Sequence, residues 1–314
     1  MSSNAVEIKG LTKIYKGRGG AEDNHALKGI DLEIPRGSMF GLLGPNGAGK
    51  STTINILAGL VNKTKGSANI WGFDIEDHPR NARANIGVVP QELMFDAFFT
   101  PREMLEVQAG MYGVPKAERR TDELLKAVHL YEQADAYSRS LSGGMKRRLL
   151  VAKALVHNPP VLILDEPTAG VDIELRQQLW DYVREMHAGG TTVILTTHYL
   201  EEAEQLCDTI AIINHGEVVC AEPTHQLLQR IDEKEIIIQV AEALDAVPAA
   251  LASFKATLRV GNKISVQINQ SDSNVGMVLA AVQQAGLTIN DISTDETDLE
   301  DIFLQLTSNR GAAA

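Results

Sequence analysis

Gly44-Pro45-Asn46-Gly47-Ala48-Gly49-Lys50-Ser51 is the stretch on which the fold turns. It satisfies the pattern G-x-x-x-x-G-K-S/T, and its flanks agree with that pattern. Met39 to Leu43 before it reads as a buried strand, and Thr52 to Leu60 after it reads as a helix. Glycines at a strand-to-helix turn let backbone N–H groups converge on phosphate oxygens, and the helix N-terminus adds positive potential. In such a loop Lys50 is expected to reach the β and γ phosphates, and the Ser51 hydroxyl to ligate Mg²⁺. The cradle comprises Gly44, Pro45, Asn46, Gly47, Ala48, Gly49, Lys50, Ser51 and Thr52.

Outward from this loop the chain alternates strand and helix. Leu27 to Ile34 reads as a strand, with Ile30, Leu32 and Ile34 alternating against Asp31 and Glu33, before the turn Pro35-Arg36-Gly37. Val161 to Leu164 and Thr192 to Thr196 are continuous apolar or β-branched runs with helical patterns nearby. This predicts an α/β core with a mostly parallel sheet. Between about Thr100 and Pro159 strand signals vanish, and Pro101 to Gly110 and Asp122 to Leu130 look helical, so a helical insertion is expected there. A second unit is expected from Asp232. It reads as a strand at Glu235 to Val240, a helix interrupted by Pro248 at Leu244 to Phe254, and strands at Ala256 to Val260 and Lys263 to Asn269. A helix at Val275 to Ala285, a strand at Leu287 to Ser293 and a helix at Leu299 to Leu306 complete it. The order β-α-β-β-α-β matches the split, ferredoxin-like pattern.

A phosphate loop needs a carboxylate for its metal, presented at the end of a neighbouring strand. Val161-Leu162-Ile163-Leu164-Asp165-Glu166 supplies a strand ending in two acids. Alone, such a pair ordinarily caps the next turn. Beside a phosphate loop, Asp165 is expected in the Mg²⁺ shell and Glu166 as general base toward the attacking water. Leu141-Ser142-Gly143-Gly144 opens a second helix and forms a second place for an anion. Where one fold cannot bring two such helix starts together, two chains facing head to tail can.

The 314 residues suit about two domains. Lys and Arg total 29 against 41 Asp and Glu, a net charge of -12 that excludes a protein living on the nucleic-acid backbone. The longest apolar runs fall far short of a membrane span, and the opening residues carry no secretory pattern. Cys207 and Cys220 are too few for a disulfide scaffold and wrongly spaced for zinc, so a soluble, cytoplasmic chain is expected.

At this point the sequence resembles the ATP-binding subunit of an ABC transporter, over roughly Val6 to Arg230. Gly44 to Thr52 is similar to the family's Walker A, Leu141 to Met145 to its signature loop and Val161 to Glu166 to its Walker B. The resemblance implies a P-loop ABC ATPase domain over 4–231 with a helical subdomain at about 100–159, and a small α+β accessory domain over 232–314. It implies ATP and Mg²⁺ as ligands, with ATP gripped between Ser142, Gly143 and Gly144 of one chain and the Walker A of a second copy. It further implies that Tyr15 stacks on adenine, that Gln91 joins Ser51 and Asp165 at the metal, that Ala169-Gly170-Val171-Asp172 is the D-loop and that His198 is the catalytic switch histidine. Met145 stands where many members have Gln, and the D-loop is not the commonest form; neither change removes a phosphate donor or a carboxylate. Met145 followed by Lys-Arg-Arg, and the ending Leu299 to Leu304, are similar to ABC-2-type exporter ATPases.

The implied function is ATP hydrolysis that energises a separate membrane permease exporting a drug, lipid or polysaccharide, at the inner face of the cell membrane. The alternatives are a soluble ABC ATPase without a transport role, an importer ATPase, and a nucleotide-gated module that hardly hydrolyses. Lys146, Arg147 and Arg148 read as a partly solvated helix face with room for one Arg buried against acids. Asp291, Asp295, Glu296, Asp298, Glu300 and Asp301 read as helix capping with Thr297 rather than as a Ca²⁺ loop, whose spacing they do not match. Phe95, Phe98 and Phe99 crowd just past Gln91, where they either plug a seam between subdomains or dock the permease.

Overall fold

The computed structural model describes residues 3–17, 19, 22–92, 96–168, 173–197, 200–229, 233–242, 244, 246–251, 254–259, 261–269 and 275–295. The chain divides into two units, Met1–Pro223 and Thr224–Ala314. The first unit runs β1 (Asn4–Tyr15), β2 (Asn24–Pro35), β3 (Met39–Leu43), α1 (Lys50–Leu57), β4 (Lys65–Ile70), β5 (Phe73–Asp74), α2 (Pro79–Ala84) and β6 (Ile86–Val89). It continues α3 (Pro101–Met111), α4 (Thr121–Ala127), α5 (Gly143–Ala154), β7 (Val161–Asp165), α6 (Ile173–Ala188), β8 (Thr192–Thr197), α7 (Leu200–Leu206), β9 (Thr209–Asn214) and β10 (Glu217–Pro223).

Strands β10-β9-β3-β8-β7-β6 form a six-stranded sheet, parallel except for the β9–β10 hairpin at its edge. Every residue of β3, β7 and β8 is buried, which is why these strands read as unbroken apolar runs. The phosphate loop therefore leaves an interior strand. A second, antiparallel sheet, β2-β1-β4-β5, goes beyond what the sequence pattern suggested. Its strand β2 contains the expected Leu27 to Ile34 run, whereas four register shifts along the β1–β2 pair break the period-two alternation of β1. Ile8, Leu11, Ile30 and Ile70 of this sheet meet Phe40, Ile163 and Ile194 of the first, with Ile54 and Ile56 of α1 in the same core. The helix behind the phosphate loop is thus held from both sides. It starts at Lys50, earlier than expected, and ends ahead of Gly59, which turns the chain at φ 72°.

From 100 to 159 the described elements are helices. Thr100 and Glu103 close a capping box at the start of α3: the Glu103 N–H donates to Thr100 Oγ1 at 3.2 Å and the Thr100 N–H to Glu103 Oε2 at 2.9 Å. Helix α4 stops short of the expected Leu130 because His129 takes a left-handed backbone, φ 53°.

The second unit contains α8 (Thr224–Gln229), β11 (Glu233–Val240), β12 (Lys255–Arg259), β13 (Lys263–Asn269), α9 (Val275–Gln284) and β14 (Ile289–Asp295). Its antiparallel sheet has the order β12-β13-β11-β14, and Ile236, Ile238, Ile264 and Val266 enclose a core with Val278 and Val282 of α9. Gly261 and Asn262 both take positive φ in the turn between the paired Arg259 and Lys263, which is one residue longer than a two-residue hairpin turn. The helix expected at Leu244 to Phe254 is corrected: among the described residues this stretch forms one 3₁₀ turn, Ala249–Leu251. Pro248 lacks the N–H that a longer helix would need there. Residues 296–301 of the acidic cluster and the expected helix Leu299 to Leu306 lie outside the described residues.

Candidate active site

The phosphate loop is shaped by contacts that exclude side chains. A Cβ on Gly44 would fall 2.1 Å from the Ile213 carbonyl oxygen, and one on Gly49, at φ 114°, would fall 2.8 Å from that of Ala26. Residues 45–52 then border a cavity together with Tyr15, Asn24, Ala26, Gln91 and Glu166. The loop, the expected aromatic, the glutamine and the second acid of β7 therefore meet at one place. Asn24 and Ala26 carry no signal of their own in the sequence; they enter through pairing, since Asn24 lies opposite Tyr15 in the β1–β2 ladder. The Lys13 ammonium stands 4.8 Å from the Tyr15 ring centroid and donates to the Asn62 carbonyl at 2.7 Å.

Lys50 is 5% exposed and donates to the carbonyls of Gly44 at 2.6 Å and Pro45 at 3.2 Å. Burial pushes its ammonium pKa down, while the Glu166 and Asp165 carboxylates pull it back up. Asp165 and Glu166 are both buried and share one organiser, Thr196 of β8. The Thr196 hydroxyl donates to Asp165 Oδ1 at 2.6 Å and accepts from the Glu166 N–H at 3.0 Å. Glu166 holds φ 46°, a left-handed conformation costing about 1–2 kcal/mol for a residue with a Cβ. Its side chain receives a hydrogen bond from Gln91 Nε2 at 2.9 Å. Thr196 is one of three threonines in β8, with Thr192 and Thr197, so nothing local in the sequence singles it out.

Arg147 is the buried arginine for which the helix face left room, and only its expected acidic partners are corrected. It is 4% exposed, and its Nη1 donates to the carbonyls of Pro90 and Gln91, both at 2.9 Å, rather than to acids. Its Nε is buried without a hydrogen-bond partner, and burial lowers its pKa against the opposing pull of Asp165. Arg148 Nη1 donates to the Val128 carbonyl at 3.0 Å. Ser142 caps α5, its Oγ accepting from the Met145 N–H at 3.2 Å. Ser142, Gly143 and Gly144 do not border the phosphate-loop cavity. His198 and Ala169 to Asp172 lie outside the described residues. The segments leading to both are joined by buried Glu202, whose Oε2 accepts from the hydroxyls of Thr168 at 3.1 Å and Thr197 at 2.9 Å.

A second, apolar groove opens beside α3. One part is lined by Leu60, Ile86, Val88, Pro90, Tyr112 and Leu150, and the adjoining part by Phe99, Met104, Val107 and Met111; Gln108 and Lys153 border both. Phe98 is 75% exposed, and the Ser138 N–H and hydroxyl donate to the Phe99 carbonyl at 2.9 and 2.6 Å. Phe95 lies outside the described residues. Among the described residues no helix is long and apolar enough to cross a membrane.

The family model described as ABC transporter matches residues 27–169. The daunorubicin/doxorubicin resistance ATP-binding protein DrrA of Streptomyces peucetius is 36% identical across 98% of this chain and 93% of its own length. The chain belongs to the ABC transporter family. This ABC ATPase is also 34% identical to the Nod factor export ATP-binding protein I of Ralstonia nicotianae, over 98% of the chain and 94% of that protein. Its fold agrees with a solved ATP-binding cassette, a dimer in a post-hydrolysis state bound to ADP and Pi. That match has TM-score 0.64 and 30% identity, covering 70% of this chain and 98% of that one. Membership of this family carries ATP binding and hydrolysis with it.

Proposed function

We propose that this ABC ATPase drives a separate, multi-span membrane permease of an exporter, as two copies with ATP between them. The relatives named for drug resistance and Nod factor export support export as the direction. The observation that carries the permease reading is the position of two adjacent residues: Pro90 lines the apolar groove while Gln91 lines the nucleotide cavity. A partner seated in the groove would act on the nucleotide through one short segment. Exposed Phe98, with the groove residues Val107 and Met111, offers the adaptable apolar surface an interface core uses. Exposed Ser142 and Gly143 at the N-terminus of α5 support a head-to-tail pair in which each supplies an anion site to the other copy's ATP. Docked on its permease, the chain works at the inner face of the cell membrane, with 4–231 as the ATPase domain and 232–314 as an accessory domain.

The donors at the nucleotide cavity suit Mg²⁺. Ser51 and Gln91 border the cavity and offer hard oxygens; Asp165, one residue before the bordering Glu166, would add the carboxylate that Thr196 orients. When bound, the ion would neutralise charge on the phosphates. Lys50 would bind the same phosphates, Tyr15 would stack on the adenine, and Glu166, oriented by Gln91 and Thr196, would accept the proton of the attacking water. His198, which follows β8 in the sequence, would contact the γ-phosphate as the family resemblance implies.

The groove is tested by Phe98→Ser combined with Phe99→Ser. The expected result is loss of co-purification with the permease, while soluble ATPase activity and melting temperature stay near those of the parent. Unfolding of the isolated subunit would instead make the rings part of the core and move the docking site elsewhere.

A further inference from the structure

We propose that Arg147 is a positioning residue for ATP hydrolysis, clamping the Pro90–Gln91 backbone so that the Gln91 amide meets Glu166. Arg147 is buried beside the apolar Leu149, Leu150 and Val151 of α5, and a guanidinium there is expensive unless its hydrogen bonds repay the desolvation. Its Nη1 is spent on two consecutive carbonyls, those of Pro90 and Gln91, and its Nε has no partner. Packing alone would be served better by Leu or Met. Pro90 and Gln91 themselves are exposed, so without Arg147 their carbonyls could turn to water.

The clamp acts at the one place where geometry matters for the acid. Val89 pairs with Leu164 across the β6–β7 ladder, so the segment after β6 runs beside the Asp165–Glu166 end of β7. There Gln91 Nε2 reaches Glu166 Oε2 at 2.9 Å. A continuous line of contacts therefore runs from α5, which begins at Ser142-Gly143-Gly144, through Arg147 to the Gln91 backbone, and through the Gln91 amide to Glu166. A shift of α5 moves the clamp, and the clamp moves the amide. The inference rests on Glu166 being the general base.

The test is a double-mutant cycle of Arg147→Met and Gln91→Ala, read by steady-state kinetics and by amide hydrogen exchange without nucleotide. Each single variant is expected to lower kcat about 10-fold or more, the scale for misplacing a catalytic group, with KM for ATP changed little. The double variant is expected to be no slower than the slower single one, because both changes break the same line. In Arg147→Met without ATP, the Gln91 side-chain amide, donated to Glu166 Oε2 in the parent, should exchange about 10-fold faster while residues 161–165 stay protected. Arg147→Lys keeps a donor on the same stem and should recover part of both effects; it carries the cycle should the Met variant fail to fold. Additive losses in kcat, or unchanged exchange at the Gln91 side-chain amide, would overturn the clamp. Failure of the Glu166 assignment is separable, since it would show as wild-type turnover in Glu166→Gln with the exchange result intact.

Discussion

Glu166→Gln is expected to cut ATP turnover by about 10² or more, the range for removing a general base, while ATP binding persists. The substitution is nearly isosteric. The buried site keeps its shape, the backbone N–H still donates to Thr196, and a Gln carbonyl can still accept from the Gln91 amide. What disappears is the negative charge and the ability to take a proton from water. Because the amide is held in the same strained backbone, φ 46°, the loss belongs to chemistry rather than to misplacement. Phosphate release and nucleotide binding measured on the same preparation separate the two. Turnover near the parent's rate would mean that another group serves as base.

Lys50→Ala is expected to act one step earlier, weakening nucleotide binding itself by about 10² or more, in line with the 2–5 kcal/mol cost of truncating one partner of a buried charge pair. Lys50 is buried and turned onto the Gly44 and Pro45 carbonyls; burial lowers its ammonium pKa, and the Glu166 and Asp165 carboxylates act in the opposite direction. Phosphates entering the loop would become its main counter-charge. Without nucleotide the variant should melt close to the parent, because removing an expensive buried charge offsets the lost hydrogen bonds. With nucleotide the parent should gain stability by mass action and the variant should not. An undiminished ATP-dependent rise in melting temperature in Lys50→Ala would show that the loop backbone alone holds the triphosphate.

Residues that carry their own pattern are legible in the sequence alone. The glycines at 44, 47 and 49 are demanded by backbone geometry at a strand-to-helix turn, and β7 announces its acids by ending an apolar run. The fully buried parallel strands are readable for the same reason. Of the antiparallel sheet β2 is readable from its alternation, but β1 is not, because repeated register shifts mix the two faces of that strand. Thr196, Asn24 and Arg147 act through partners 31, 9 and 56 residues away: the Asp165 carboxylate, the Tyr15 ladder position and the Gln91 carbonyl. Nothing local distinguishes an arginine aimed at two distant carbonyls from one facing solvent. The Leu244 to Phe254 stretch shows the reverse error, in which an apolar, alanine-rich pattern promised a helix that Pro248 leaves as a single turn.

In the proposed assembly ATP is gripped by two copies of this chain, the phosphate loop of one facing the start of α5 of the other. Ser51→Cys combined with Ser142→Cys, in a background with Cys207→Ala and Cys220→Ala and with Glu166→Gln to hold the nucleotide, tests it most directly. Both positions are exposed; because Ser142 caps α5 and Ser51 is proposed to hold Mg²⁺, ATP binding by the variant is measured alongside the cross-link. Oxidation in the presence of ATP is predicted to give a covalent dimer, joined through the introduced thiol at position 51 of one copy and that at position 142 of the other. Little of this product should form when ATP is left out. A cross-link confined within single chains, or a dimer yield indifferent to ATP, would contradict the head-to-tail arrangement.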